Sequence, residues 1–393
     1  MGKVEKESST LVVRGATLVS KGTLLKVTAF SLSVAFIFIV LWMIGIDLFL
    51  SLASRLHPAW VAMFIAAYTS SFVLRALRWK VIVDAAGGNA GIMRLMSINF
   101  SGWFINEVTP AKVGDFLRIS LLASQGEMPL GESTSTIAVE RAFDVFSIAL
   151  VSSMLLFTAN FSVLIPFHIK LISIIIFAVL AMILLLTLAF CVAGPGIVSS
   201  LRLHKVSRRM HDVVYSLALG MKEGVQKLSK KPKALLLTAA LSPPIWVVDA
   251  LSIYIFINAA GIPELTQILV LAVLAGVYPS VWLTDAVTLA IFMSPFSSIS
   301  AGVCILSALL GFASKFFPVV PGGFGVYEFI VAAVLGVTGL PLNLGLAVAL
   351  LDHMARLTYC SAAGIPFLMH NGIGVSSVLS GRMHETPKAP STQ

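Results

Sequence analysis

The sequence Asn-Glu-Val-Thr-Pro-Ala-Lys-Val-Gly-Asp-Phe-Leu-Arg, residues 106–118, interrupts a strongly apolar chain with ionisable side chains. Four of its thirteen residues can carry charge: Glu107, Lys112, Asp115 and Arg118. Lipid cannot hydrogen-bond charged groups or broken backbone, so at membrane depth both are tolerated only inside a protein or beside a water-filled cavity. We therefore expect the functional centre of the protein in this stretch.

A second stretch, residues 321–328, repeats the pattern more weakly. Pro321 and Gly325 keep the spacing of Pro110 and Gly114, and a carboxylate, Glu328, again lies nearby. Proline ends a helix and pushes the preceding residue into extended backbone. We expect both stretches to be re-entrant elements, the first with limbs at 95–108 and from about 112 and the second at 318–335. Entry from opposite sides of the membrane would make them inverted repeats, as in transporters.

The composition is that of a membrane protein. The chain is 58% hydrophobic and 11% charged, with a mean hydropathy of +0.97, whereas soluble domains are about 45–50% apolar and about 25% charged. The net charge of +9 does not indicate nucleic-acid binding, because nine of the 27 Lys and Arg residues lie within 202–233. Such a loop typically lies in the cytoplasm beside anionic headgroups.

Apolar runs predict an all-α polytopic fold of about eight transmembrane helices and two re-entrant elements. We expect a cytoplasmic segment at 1–23, a membrane domain at 24–370 that contains a basic cytoplasmic loop at 194–233, and a disordered cytoplasmic tail at 371–393. A surface helix is predicted at 206–230, and Pro243-Pro244 should break the fifth span. The predicted spans are 24–46, 59–83, 134–160, 170–193, 234–258, 264–282, 299–316 and 342–369.

Charged pairs at helical spacing mark candidate sites. Glu140 and Asp144 share one helix face, where like charges repel unless a cation or a proton separates them. They could form a packing network with Arg118 or Arg141, or belong to a transport site. A carboxylate kept for a substrate should lack full compensation in the empty protein.

Four further charged positions or pairs allow predictions. Arg75 and Arg78 would be a topology anchor or contact a lipid phosphate at the membrane surface. Asp115 and Arg118 can pair with each other at i and i+3. Lys315 is assigned to an outer loop, and Asp352 should pair with Arg356 within one helix.

These motifs together resemble the transmembrane, flippase-like region of lysylphosphatidylglycerol synthases, which also occurs as stand-alone membrane proteins. The resemblance covers about residues 25–370. It implies movement of a lipid with a charged head between leaflets, or handling of a polyprenyl-linked lipid. Because the chain ends soon after the last span, no aminoacyl-transferase domain and no lysyl transfer are expected. The resemblance rests on Arg78-Trp79, Asn106, Thr109, Pro110, Gly114, Asp115, Arg118, Glu140-Arg141, Asp144, 321–325 and Glu328.

The first functional hypothesis is a lipid translocase in the cell membrane, a transporter rather than an enzyme, with both termini cytoplasmic. Basic residues at the cytoplasmic rim would attract a phosphate, free N–H groups following Gly114 and Gly323 would complete its coordination, and carboxylates would receive a cationic headgroup or carry a coupling proton. The candidate substrate-binding residues are Arg78, Asn106, Thr109, Lys112, Asp115, Arg118, Glu140, Arg141, Asp144, Gly322, Gly323 and Glu328.

Two other functions stay open on the sequence alone. One is a membrane glycosyltransferase acting on a polyprenyl phosphate, and the other is an accessory scaffold for a partner enzyme. The chain has no Asp-x-Asp metal pair and no ATP-binding loop, so we expect no metal or cofactor and a transport that is downhill or ion-coupled. The expected partners are a membrane lipid with a charged head and the anionic membrane surface, without nucleic acid. Oligomer formation is compatible with the sequence.

Overall fold

The computed structural model describes residues 38–109, 112–124, 126–157, 167–200, 208–259, 301–316, 321–338 and 340–373. All regular structure in these ranges is helical. The elements are α1 (Ile46–Ser54), α2 (Pro58–Ala86), α3 (Ile92–Val108), α4 (Val113–Ser124), α5 (Leu130–Phe157), α6 (Phe167–Ser200), α7 (Arg208–Ser229), α8 (Pro232–Ala259), α9 (Ala301–Ser314), a 3₁₀ turn (Pro321–Gly323), α10 (Val326–Gly336) and α11 (Leu342–His370).

Two of the described helices, α2 and α8, are long and apolar enough to cross a membrane. They pack against each other, and with 29 and 28 residues they extend about 43 Å. Local signals set the ends of α2. Pro58 occupies its first turn, where the missing N–H costs nothing, and Gly87 ends it in left-handed backbone at φ 97°.

The break expected at the first motif is present. Helix α3 ends at Val108, Thr109 is extended at φ −122° and ψ 150° before the proline, and α4 begins at Val113. The two limbs pack closely because both carry glycine at their contact. A Cβ on Gly114 would lie 1.8 Å from the carbonyl oxygen of Gly102. Helix α3 also packs on α11 and touches the 3₁₀ turn of the second motif.

One expectation about the other helices is wrong. Helix α8 runs through Pro243 and Pro244 without a break, because proline's fixed φ is itself helical and packing against α2 and α9 holds the segment. The helix predicted at 206–230 is present as α7, which packs against α5 and α6. A Cβ on Gly220 would lie 2.8 Å from Cα of Gly131, so glycines bring the backbones together.

The remaining span predictions are confirmed as helices or lie outside the described residues. Helices α5, α6, α9 and α11 cover the runs predicted near 134–160, 170–193, 299–316 and 342–369. The segment between the first two predicted spans, 24–46 and 59–83, contains α1. The first span up to residue 37, the sixth span at 264–282 and both chain termini lie outside the described residues. The count of eight spans and the inverted repeat therefore stay predictions.

Candidate functional site

The carboxylate of Glu140 on α5 is surrounded by guanidinium groups. Arg118 on α4 donates from Nη1 and Nη2 at 3.0 and 2.7 Å, and Arg141 donates from Nη2 at 2.9 Å. Arg78 on α2 lies 3.5 Å away. The expectation that this carboxylate lacks compensation in the empty protein is therefore wrong, because three cations contact it.

Asp144 lies one turn further along α5 and shares two of these cations. Arg78 Nη1 donates to its Oδ1 at 2.7 Å, and Trp246 Nε1 on α8 donates to the same oxygen at 2.9 Å. Arg141 Nη1 approaches Oδ2 at 2.9 Å. Of the two alternatives left open for separating the Glu140 and Asp144 carboxylates, a cation or a proton, the structure shows cations, because Arg78 and Arg141 each contact both.

The arginines expected at the cytoplasmic rim lie inside the helix bundle. Arg75, Arg78 and Arg118 are 1%, 0% and 0% exposed. Arg75 forms an ion pair with Asp249 of α8. Carboxylates and aromatic faces offset the cost of removing these guanidinium groups from water. The rings are Trp79 for Arg118, with 4.3 Å from Cζ to the ring centroid, and Trp103 and Trp246 for Arg75, with 4.3 and 4.8 Å.

Asp115 forms the predicted ion pair with Arg118 and a closer one with Arg141. Its carboxylate lies 3.3 Å from Arg141 Nε and 3.7 Å from Arg118 Nη1, and it accepts a hydrogen bond from Asn106 Nδ2 at 3.1 Å. The hydroxyl of Thr109 donates to the carbonyl of Ile105 at 2.6 Å and so serves its own helix end.

The helix ends that follow the motif glycines do not offer the free N–H groups that were expected. At α10 the backbone N–H of Gly325 donates to Glu328 Oε2 at 2.7 Å. The other oxygen of Glu328 lies 2.5 Å from Nδ1 of His353 on α11. At α4 the N–H of Asp115, which follows Gly114, donates to the carbonyl of Lys112 at 2.9 Å, and Gly114 packs on Gly102. Both predictions are wrong because the chain itself caps or packs these ends.

The two broken motifs meet at Glu107. A Cβ on Gly322 would lie 2.8 Å from the carbonyl oxygen of Glu107, and a Cβ on Gly323 would lie 2.9 Å from Cγ of Lys315. Both glycines have positive φ, 64° and 79°. Lys315 Nζ lies 3.4 Å from the Glu107 carboxylate. Only glycine allows both this backbone conformation and this approach.

A small cavity lies where these groups converge. Its volume is about 30 Å³, enough for one or two water molecules. Aromatic rings, among them Trp103 and Trp246, form part of its wall, together with charged side chains from four helices and two breaks. The charged residues are Glu107, Lys112, Arg141, Asp249, Lys315 and Arg356.

The cavity has donors without a partner. Among the described residues, the side chain of Lys112 forms no ion pair or hydrogen bond, and its Nζ lies 5.7 Å from the ring centroid of Phe316. Lys112 also has φ 56° and is the only non-glycine residue of the described chain with positive φ, a conformation that costs about 1–3 kcal/mol. The buried Nε1 of Trp103, which lines the cavity, has no hydrogen-bond partner among the described atoms. An anion would satisfy these groups.

Several residues of this site were not selected from the sequence. Lys315, assigned to an outer loop, is only 12% exposed at its side chain and lines the cavity. His353 and Arg356 are buried in the middle of α11. Asp352 pairs with Arg356 Nε at 2.9 Å as predicted. A lone charge in an apolar run, as at Lys315, is the signal that could have identified these positions. In the part of the chain that the structure describes, no group of His, Cys, Asp or Glu side chains could hold a metal ion.

Comparisons with known proteins agree with these features. The family model described as the lysylphosphatidylglycerol synthase TM region matches residues 26–281. A UPF0104 membrane protein of Pyrococcus horikoshii is 24% identical over 345 residues, which cover 82% of this chain and 90% of the relative. A UPF0104 membrane protein of Methanocaldococcus jannaschii is 31% identical over 129 residues, 32% of this chain and 37% of that relative. No solved structure matches.

Proposed function

The chain belongs to the family of lysylphosphatidylglycerol synthase transmembrane regions, and from this premise we propose that it moves a lipid with a phosphate-bearing headgroup between the membrane leaflets. Membership of a membrane-protein family agrees with the apolar composition. The observation that carries the proposal is the cavity at Lys112, where the two broken motifs meet.

The chemistry of the cavity favours an anion. Its wall contains four cationic side chains and two carboxylates. Arg141 and Arg356 form ion pairs with carboxylates that do not line the cavity, whereas the ammonium of Lys112 contacts no carboxylate among the described residues. Charge-assisted hydrogen bonds from Lys112, with one from the unpaired Trp103 Nε1, would suit phosphate oxygens.

The depth of the cavity also supports transport. Arg356 is midway along α11, which runs from Leu342 to His370, about 21 Å from either end. Arg75 lies about 17 Å from the end of α2 at Ala86. Transporters commonly bind substrate near the bilayer midplane, at broken helices that belong to paired elements. If the ends of these helices reach the membrane surfaces, a headgroup bound at Lys112 would lie well inside the bilayer.

The other candidate site residues then act by holding the substrate-binding cations. Glu140, Asp144 and Asp115 each contact Arg141, which reaches the cavity wall. Arg78 pairs with Asp144 and Arg118 pairs with Glu140, and neither arginine lines the cavity. Gly322 and Gly323 allow the second motif to approach Glu107 and Lys315. In this proposal Lys112, Arg141 and Lys315 contact the phosphate.

Reconstitution of the full chain into phosphatidylcholine liposomes tests the function. Trace NBD-phosphatidylglycerol, NBD-phosphatidylcholine or a labelled polyprenyl phosphate is added in separate arms, and dithionite bleaching measures movement between leaflets. We expect one of the two anionic lipids to move faster than phosphatidylcholine. Faster phosphatidylglycerol would identify a phosphodiester as the substrate, and faster polyprenyl phosphate a phosphomonoester.

Two matched variants control this experiment. Lys112→Gln should lose the movement, whereas Lys230→Gln, an exposed lysine beyond α7, should retain it. If no lipid moves, the result contradicts a translocase, and the accessory scaffold remains as the alternative function. Transfer of sugar from a labelled nucleotide sugar to polyprenyl phosphate would identify a glycosyltransferase instead.

A further inference from the structure

His353 lies in a buried group of ionisable side chains contributed by four parts of the chain. Its Nδ1 is 2.5 Å from Glu328 Oε1 on α10, and its Nε2 is 3.2 Å from Lys315 Nζ and 3.6 Å from Glu107 Oε2. Phe324 stacks on the imidazole with a centroid distance of 4.1 Å. His353 and Glu328 are each 0% exposed.

The remaining groups that face His353 are already engaged. Tyr327 touches the imidazole edge-on at 5.3 Å, and its hydroxyl donates to Asp352 at 2.5 Å. Asp352 in turn accepts from Arg356. The imidazole is therefore left with Glu328, Lys315 and Glu107 as partners.

The contacts define two hydrogen-bonding states of His353. Glu328 accepts the N–H of Gly325 on Oε2, so its Oε1 is an acceptor for Nδ1–H of His353. Nε2 then carries a lone pair and accepts from the Lys315 ammonium. A proton added at Nε2 would make this nitrogen a hydrogen-bond donor to the Glu107 carboxylate, and the positive imidazolium would repel the Lys315 ammonium. Lys315 also lines the cavity, so protonation at Nε2 frees an ammonium for the anionic headgroup.

The buried charges balance in a way that favours binding proton and anion together. Across this network and the cavity, seven cationic side chains face seven carboxylates when His353 is neutral. A bound phosphodiester adds one negative charge, which one proton offsets. Uncompensated charge at membrane depth is costly, so the loaded site is neutral only with both ligands. The residues counted are Arg75, Arg78, Lys112, Arg118, Arg141, Lys315 and Arg356 against Glu107, Asp115, Glu140, Asp144, Asp249, Glu328 and Asp352.

We propose that His353, held by Glu328 and facing Lys315 and Glu107, binds the proton that drives lipid movement, so that one proton crosses with each lipid anion. This inference rests on the proposed function and names its driving ion. The proton binds to Nε2 from the solution on one side of the membrane and is released from Nε2 to the solution on the other side.

The test uses the full chain in liposomes that contain trace NBD-phosphatidylglycerol or the labelled polyprenyl phosphate, whichever moves. With a gradient of about one pH unit, one-to-one coupling predicts about tenfold accumulation in the leaflet facing the alkaline side. Protein-free vesicles give the background. His353→Gln should show no accumulation in response to the gradient and should exchange lipid more slowly, whereas His370→Gln, exposed at the end of the same helix, should respond as the unaltered chain does.

The outcomes separate the two proposals. Lipid exchange that ignores the gradient in the unaltered chain overturns proton coupling and leaves the translocase intact. Absence of any lipid movement contradicts the translocase itself. If His353→Gln does not fold, pyranine trapped inside vesicles with the unaltered chain measures proton entry. Entry that depends on lipid movement supports the proposal, and its absence overturns it.

Discussion

The Arg118 guanidinium donates two hydrogen bonds to the Glu140 carboxylate, at 3.0 and 2.7 Å, and both side chains are buried. This pair joins α4 to α5, so the limb after the first break is fixed to the long helix that follows it. Arg141 and Arg78 also contact Glu140. Replacing this carboxylate by an amide would leave three buried guanidinium groups short of a counter-charge.

We therefore predict that Glu140→Gln lowers stability by about 3–5 kcal/mol, the usual cost of removing one partner of a buried ion pair. Thermal unfolding in detergent should show a lower melting temperature and a lower yield. The matched control is Glu132→Gln on the same helix, because its partner Lys227 is half-exposed and such pairs contribute about 0–1 kcal/mol. Equal melting temperatures for the two variants would show that Glu140 does not hold the helices together.

Gly114 allows a test of the hairpin formed by the first motif. A Cβ at this position would lie 1.8 Å from a backbone oxygen of Gly102, and backbone cannot move aside as a side chain can. We expect Gly114→Ala to separate α3 from α4 and to destabilise the protein by more than the about 1–3 kcal/mol typical of overpacking. Gly196→Ala in α6, where nothing lies within 4 Å, should unfold at or above the original temperature. A Gly114→Ala protein as stable as this control would refute the close packing.

Lys112 should separate stability from transport. Its φ of 56° suits glycine. Lys112→Gly removes the cost of left-handed backbone but increases the conformational entropy lost on folding, so we expect a net stabilisation of about 0.5–1 kcal/mol. The same variant removes a charge-assisted contact worth about 1.5–3 kcal/mol, so lipid movement should fall at least about tenfold. Unfolding curves and the dithionite assay measure the two effects. Retained transport in Lys112→Gly would exclude its ammonium from the substrate site.

Topology can be tested with single cysteines at opposite ends of α2. Ser54 precedes this helix, whereas Ser229 ends α7, whose Lys227 approaches Gly87 beyond the other end of α2. Both serines are exposed, whereas Cys304 and Cys360 are buried, and the third native cysteine, Cys191, is replaced by serine in both variants. If the basic segment 202–233 is cytoplasmic, an impermeant thiol reagent should label Ser54→Cys in intact cells and Ser229→Cys only after lysis. The opposite pattern would reverse the orientation.

The sequence by itself determined the helix ends and the pairs within one helix. Thr109 is extended because Pro110 follows it, and Gly87 ends α2 because glycine adopts left-handed backbone readily. Asp352 and Arg356 pair because helical geometry brings positions i and i+4 together. These features depend on neighbours in the chain, which a single sequence contains.

Only the tertiary structure decided which charges meet across helices. Arg75 pairs with Asp249, and Lys315 joins Glu107 and His353, although nothing in the spacing of these residues links them. The helical period assigns a side chain to a face but not to a partner, because the partner depends on how helices cross and how closely they approach. That approach is set here by Gly102 against Gly114 and Gly322 against Glu107, contacts between backbones that the pattern of apolar and charged residues does not encode.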